Sequence, residues 1–256
     1  MNYQTLSLTN SAPISKIALN QPQVLNALSE SVLKELLNAV EELEKDSKNR
    51  VVLLSGTGKS FAAGADISAM ANMNSSEALE FSKLGQTVFE RIENSRLVFI
   101  SLVQGFALGG GLELALATHI RIFTEKTQVG LPEVSLGLLP GFGGTQRLTR
   151  IVGRGRAFEM ILTGDRIGAE RAYQLGIANR VVAETELEAE AEKIAASILA
   201  KGPIAVAKAK HCILFGENNS FQEGILEERH EFSQLFENSE TKEGLKAFLE
   251  KRKPNF

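Results

Sequence analysis

Two long apolar stretches of this chain each carry a single carboxylate, and that pairing constrains the fold more than any other feature. Between Arg96 and Arg121 the one formal charge is Glu113, and between Lys126 and Arg147 it is Glu133. Glu113 follows three glycines in LGGGLELALA (Leu108 to Ala117), and Glu133 sits in VGLPEVSLGLLP (Val129 to Pro140). Stretches this apolar belong inside a protein, and burying an unpartnered carboxylate is costly. A fold that buries both runs must neutralise the two groups or use them. Burial raises a carboxyl pKa, and a second carboxyl nearby raises it further. Such a pair suits general acid and base chemistry.

The rest of the pattern is mixed α/β. Ile14 to Leu19, Val51 to Leu54, Leu97 to Val103, His119 to Phe123, Gln128 to Leu131 and Asn179 to Val182 read as short strands. Ser29 is a candidate N-cap, and Val32, Leu33, Leu36, Leu37, Val40 and Leu43 then mark one face of a helix ending near Lys45. Further helices are predicted after Ser75-Ser76, from Gly109–Gly111 to about Ala117, from Thr145 to Ile151, from Ala169 to Leu175 and from Thr185 to Ala200. Strand, strand and helix recur through the first 180 residues, a rhythm of stacked ββα units rather than one doubly wound sheet. From Pro203 onward only helical patterns remain: Ile204 to Leu214, Phe221 to Phe236 and Thr241 to Lys251. This strandless tail is a candidate subdomain and oligomer contact.

Several function classes drop out. The net charge of -3 gives no overall attraction for nucleic acid or an anionic membrane. Glycines interrupt the Leu97–Ala117 run, so it does not supply the roughly 18 to 20 apolar residues of a membrane span. The start, MNYQTLSLTN, has no basic segment or apolar signal core, which predicts a cytoplasmic protein. The one cysteine, Cys212, excludes an intrachain disulfide framework. Gly58-Lys59-Ser60 imitates the end of a phosphate-binding P-loop, but that motif needs a glycine where Leu53 stands. His119, His211 and His230 lack metal-ligand spacing, and no GxSxG element is present. Arg147, Arg150, Arg154 and Arg156 form a basic cluster, read as a solvated helix face or as a contact for ligand phosphates or a neighbouring subunit.

Two glycine-rich sites remain. A helix opening at Gly109–Gly111 presents backbone N–H groups with no Cβ in the way, a geometry that stabilises a developing oxyanion. The turn in FAAGADI (Phe61 to Ile67) is the natural source of a second donor. Close helix packing explains the same glycines equally well. Glu113 lies about one helical turn past Gly110 and so shares the ligand end of that helix.

At these residues the chain resembles the enoyl-CoA hydratase/isomerase family, the crotonase superfamily. The likeness is carried by FAAGADI, by QGFALGGGLELAL (Gln104 to Leu116), by LPEVSLGLLPGFGGTQRLTRIVG (Leu131 to Gly153), by LTGDRI (Leu162 to Ile167) and by EGLKAFLEKRKPNF (Glu243 to Phe256). It covers nearly the whole chain. The resemblance implies an α/β, crotonase-like spiral of ββα units over residues 1–200, carrying a CoA-thioester site. It implies a helical C-terminal trimerisation region over residues 201–256 and a homotrimer or a dimer of trimers.

Carried onto this sequence, the oxyanion donors are the backbone N–H groups of Ala65 and Gly110. The substrate-binding positions are Ala63, Ala65, Asp66, Ile67, Ser68 and Gly110. Asn20 to Asn26 resembles a loop that contacts the nucleotide end of CoA, and Phe248 a segment that closes the pocket. Members that hydrate fill both glutamate positions, here Glu113 and Glu133. The expected reaction is therefore syn addition of water to a trans-2-enoyl-CoA, giving a 3-hydroxyacyl-CoA, with Glu113 as base on the water and Glu133 as acid toward C2. No metal or redox cofactor is expected, the CoA being part of the substrate, and neither nucleic acid nor membrane is an expected partner. Enoyl-CoA isomerisation, hydration of a methylglutaconyl-CoA-type substrate, and an RNA-binding or scaffold role are the alternatives. Two positions depart from the family pattern: Thr118-His119 lacks a carboxylate common among relatives, and Gln23 replaces a basic residue.

Overall fold

The computed structural model describes residues 3–256. Among these, the strands form two sheets. The larger contains β1 (Leu6–Thr9), β2 (Ile14–Leu19), β3 (Val51–Gly56), β4 (Val98–Val103), β6 (Ile120–Thr124) and β9 (Arg180–Val182), side by side in that order. Within this sheet only β1 and β2 pair antiparallel, and every other pairing is parallel. The smaller sheet joins β5 (Phe106–Leu108), β7 (Gln128–Gly130) and β8 (Ile167–Gly168). The chain thus visits the large sheet and then the small one: β4 precedes β5, and β6 precedes β7. The chain is mixed α/β, as the sequence pattern predicts. An isolated parallel bridge between Ala62 and Ala107 brings the FAAGADI segment alongside β5.

Parallel strands covered on both faces are apolar throughout, and all six residues of β4 are buried. Two long helices supply one cover. In α1 (Glu30–Lys45) the Ser29 side chain accepts from the Val32 N–H, as its N-cap position predicts, and Val32, Leu33, Leu36, Val40 and Leu43 are buried. The second is α3 (Ser75–Asn94), which buries Phe81, Gly85, Val88, Phe89 and Ile92. Its cap is Asn74 rather than a serine: Asn74 and Glu77 form a reciprocal capping box, and the serines occupy the first turn. Some elements were not apparent from periodicity. Among them are β1, the three-residue β5, the two-residue β8, and α6 (Arg154–Thr163), which follows α5 (Gly144–Val152) across Gly153.

Local side-chain bonds close the end of α4 (Gly110–Ala117). The Thr118 hydroxyl donates to the Ala115 carbonyl at 2.7 Å. The Arg121 guanidinium donates to the carbonyls of Thr118 and Ile177, each at 2.6 Å.

The chain divides after Glu192 into two compact units, the second running from Lys193 to Phe256. The second is helical: α9 (Pro203–Asn218), α10 (Phe221–Leu235) and α11 (Ser239–Leu249) follow the end of α8 (Leu187–Leu199). Pro203 takes the first helical position, where its missing N–H costs nothing. The Glu240 carboxylate accepts from the next two amides, Ile204 at 3.1 Å and Ala205 at 3.0 Å. No helix of the described residues is long and apolar enough to cross a membrane.

One polar side chain pins the loop between β2 and α1. Asn26 is buried and sits at φ 56, a left-handed conformation that asparagine tolerates. Its Oδ1 accepts from Gln21 N–H at 2.9 Å, and its Nδ2 donates to the carbonyls of Thr57 and Ser60, both at 2.9 Å. Replacing Asn26 with Ala strands these backbone groups, at about 1–3 kcal/mol for each group left buried and unpaired. Urea unfolding of Asn26→Ala is expected to show a loss of at least about 2 kcal/mol. Asn26→Asp should lose more, because it sets a carboxylate against two carbonyls.

Candidate active site

Glu113 owes its place to a glycine turn. The chain leaves β5, passes Gly109 at φ 50, and enters α4, all eight residues of which are buried. A carboxylate one turn into such a helix has no water. It finds donors on a second helix N-terminus instead. Its Oε1 accepts from the Phe142 N–H at 2.8 Å and from the Gly144 N–H at 2.7 Å. Gly144 opens α5, so the carboxylate sits where unpaired amides and the helix dipole favour negative charge. A Cβ at Gly144 would lie 2.9 Å from the Glu113 side chain.

The loop that presents these amides is gripped by α3. The Phe142 ring packs edge-on against Phe81 and Phe89, with centroids 5.2 and 5.6 Å away. Gly85 makes room for it: a Cβ there would collide with the ring. Ser82 Oγ donates to the Gly141 carbonyl at 2.6 Å, and Gln86 Nε2 donates to the same oxygen at 2.9 Å.

Glu133 lies in the first turn of a 3-10 segment, Pro132–Leu136, which follows β7. It is half-buried, and its Oε2 is enclosed with no hydrogen-bond partner among the described residues. Its Oε1 lies against Gly109, where a Cβ would come within 2.9 Å. Burial pushes the Glu113 carboxyl up to about 7; the charge of Glu133 adds to this, while the Gly144 and Phe142 amides and Arg147 oppose it. Burial also raises Glu133.

Both glutamates line a cavity of about 710 Å³ together with Ala63, Ala65, Ile67 and Gly110. Its other walls are mostly apolar and include Met70, Phe81, Leu138 and Leu139. Ala65 and Gly110 are brought to the same cavity from segments 45 positions apart. Leu28 pairs with Ala65 as an isolated bridge through the neighbouring groups, accepting from Asp66 N–H and donating to the Gly64 carbonyl. Among the described residues neither the Ala65 nor the Gly110 N–H makes a backbone hydrogen bond.

The other residues singled out by sequence fare differently. Asp66 and Ser68 are not among the cavity-lining residues. Asp66 instead caps the four-residue helix α2 (Ile67–Met70), accepting from the amides of Ser68 and Ala69. The packing explanation of the glycines holds alongside the open-donor one. A Cβ at Gly111 would strike the Ala62 carbonyl, and one at Gly110 would press the Phe142 ring at 3.1 Å. His119 is structural: Nδ1 accepts from Phe99 N–H at 2.9 Å and Nε2 faces the Glu93 carbonyl at 3.0 Å. His211 does cluster with Glu227 and Glu231, which spacing along the chain did not reveal. There Glu231 already has a cation, the Lys208 ammonium at 2.6 Å. Arg147 is largely withdrawn from solvent and pairs with Glu93.

Sequence reasoning missed the donors of Phe142 and Gly144. A signal was present, since PGFGG opens a helix just as LGGG does, but nothing local says which anion it receives.

The raised Glu113 pKa has a stability consequence. Below about pH 4 the group is protonated both folded and unfolded and contributes nothing. As pH rises toward 7, the unfolded chain ionises it while the fold keeps it protonated, so stability falls. Above that range the full cost is present, about 3 kcal/mol. Glu113→Gln keeps an acceptor for both amides and removes the charge. Its unfolding free energy is expected to exceed that of the wild type at pH 8, with the difference shrinking toward pH 5. Denaturant titrations at the two pH values check this.

Comparison with known proteins agrees over the whole length. The family model described as enoyl-CoA hydratase/isomerase matches residues 9–256. A crotonyl-CoA hydratase of Syntrophomonas wolfei is 42% identical over 257 residues, covering 100% of this chain and 99% of that protein. A short-chain-enoyl-CoA hydratase of Clostridium acetobutylicum is 41% identical over 254 residues, covering 99% of this chain and 97% of the relative. Among solved structures, an enoyl-CoA hydratase from Bacillus anthracis superposes with a TM-score of 0.94 at 39% identity, covering 99% of each chain. With two carboxylates, one buried and one half-buried, on one mostly apolar cavity and full-length matches of this kind, the chain belongs to the enoyl-CoA hydratase/isomerase family.

Proposed function

We propose that this protein is an enoyl-CoA hydratase that adds water across the double bond of a trans-2-enoyl-CoA. One observation carries the reading: two carboxyls of raised pKa share a cavity with the backbone N–H groups of Ala65 and Gly110, and among the described residues one carboxyl oxygen and both N–H groups have no partner. That is the equipment a conjugate hydration needs. The thioester oxygen receives the N–H groups of Ala65 and Gly110, which stabilise the enolate-like charge. Water held between the carboxyls adds its oxygen to C3, its proton passes to ionised Glu113, and the Glu133 carboxyl supplies a proton to C2. The hydroxyl at C3 and the proton at C2 both arrive from the side of the carboxyls, one face of the double bond, so the addition is syn. The substrate-binding surface comprises Ala63, Ala65, Ile67 and Gly110, and Asp66 and Ser68 act by shaping the turn. Proton transfer and hydrogen bonding account for the whole reaction, so the reading calls for no metal or redox cofactor.

The same reading takes in the fold details that family membership suggests. The alternation between sheets is the spiral of ββα turns, and the protein works in the cytoplasm on acyl-CoA breakdown. The helical unit is an oligomerisation region, supported by the large apolar side chains it leaves exposed: Ile213, Phe221, Phe232, Phe236, Phe248 and Leu249. An exposed apolar set of this size marks an interaction surface. Light scattering is expected to give the mass of three or six chains, and Phe232→Asp with Phe236→Asp to lower it. A monomeric wild type would overturn the assembly.

The direct test of the reaction is hydration of crotonyl-CoA, followed by loss of the conjugated enoyl absorbance. Wild-type turnover should rise with pH through about 7 as Glu113 ionises. Glu113→Gln and Glu133→Gln should each lower kcat by about 10²–10⁴-fold while CoA-ester binding persists. A wild type that binds the ester without hydrating it points to isomerisation or a branched substrate. No binding of any CoA ester sinks the enzyme reading and leaves a scaffold role.

A further inference from the structure

Arg147 is the one member of the basic cluster turned inward. It lies on the first turn of α5, one turn past the amides that hold Glu113. Its Nε and Nη2 donate to the two oxygens of Glu93 on α3, at 3.0 and 2.9 Å, a bidentate pair. Its Nη1 donates to the carbonyl of Phe142 at 3.0 Å. The N–H of that same Phe142 donates to Glu113. Behind Glu93, its backbone carbonyl faces the Nε2 of His119 at 3.0 Å. Both side chains of the ion pair are largely withdrawn from solvent, at 15% and 26% exposure. A fork-to-carboxylate pair in that setting holds geometry better than a lysine point charge would.

We propose that Arg147 is a positioning residue for Glu113: it ties Glu93 of α3 to the Phe142 carbonyl and so fixes the amides that hold the Glu113 carboxylate. The inference rests on the hydratase reading only for its effect on turnover. Arg147 makes no part of the cavity wall and acts through the loop. It also tunes the proton affinity of Glu113. The charged groups that act on Glu113 are Glu133 from the 3-10 segment and Arg147 from α5; Glu93 from α3 is bound to Arg147, and Arg166 lines the same cavity. Of these Glu133 raises its pKa, and Arg147 lowers it. Losing the guanidinium therefore loosens the loop and strengthens the hold of Glu113 on its proton.

Three variants separate these effects from bulk packing: Arg147→Met, Arg147→Lys, and Arg150→Met as a charge control. Arg150 is exposed on the same helix and bonds only within it. The Glu113 carboxyl is titrated by infrared difference spectroscopy, its band assigned by disappearance in Glu113→Gln. In parallel, kcat and KM for crotonyl-CoA are measured against pH. Arg147→Met should move the Glu113 midpoint and the acid limb of the rate profile to higher pH. It should lower kcat by about 10²-fold, with KM changed far less. Arg147→Lys should restore the midpoint and part of kcat, and Arg150→Met should match the wild type.

A folded Arg147→Met with an unmoved midpoint overturns the proposal, whatever its turnover. A loss of turnover that lysine does not relieve and that leaves the midpoint in place assigns Arg147 to packing alone. Should Arg147→Met fail to fold, Arg147→Lys and Glu93→Gln decide by the same two readouts. A wild type whose Glu113 titration responds as expected but which hydrates no enoyl thioester keeps the positioning role and removes the hydratase reading.

Discussion

The structure turns on how one buried carboxylate is held. Glu113 lies on a helix with no polar surface, and the amides of Phe142 and Gly144 are what make its burial tolerable. Two charge-assisted hydrogen bonds to one oxygen offset part of the desolvation without neutralising the group. The outcome is a carboxyl that titrates near 7 instead of remaining ionised throughout. A full ion pair in the same place would have made a permanent carboxylate and a poor proton acceptor. A dry pocket without donors would have made a permanent acid. The observed arrangement falls between these limits, where proton transfer in both directions is accessible at neutral pH.

Much of the surrounding fold serves that geometry. The long helix α3 supplies Phe81, Phe89, Gly85, Ser82, Gln86 and Glu93, all of which bear directly or through Arg147 on residues 141 to 144. The glycines of α4 let that helix seat against the Ala62 carbonyl, which brings the Gly110 amide to the cavity. Packing and open donors are therefore two consequences of one close approach, and the glycines serve both. Glu133 arrives by a separate route, on a proline-started turn after β7, and meets the cavity with one oxygen that has no partner among the described residues.

Legibility followed the range of the forces. The α1 boundaries were readable because Ser29, Glu30 and the apolar stripe all act within a few residues of one another. The strands at β2, β3 and β4 were readable as unbroken or alternating apolar runs. The short β5 and β8 were not, because three or two residues carry no period and exist through pairing with β7. The catalytic candidates were legible as lone charges in apolar surroundings, a local anomaly. Asp66 and Ser68 were carried over with their motif, and the cap that Asp66 forms on Ile67–Met70 was not legible there.

The sequence by itself determined where α1 begins, that the run around Glu113 must be buried, and that this carboxylate would be buried with it. Each of these follows from capping, periodicity and transfer free energy, which act along the chain. Tertiary structure alone decided what that carboxylate would meet. Glu113 finds its donors 29 and 31 positions downstream, and Arg147 finds its carboxylate 54 positions upstream. Such partners are chosen by how helices pack across a core. Hydrogen bonds reach only about 3 Å, so the chemistry of the site is settled by packing that no local stretch encodes.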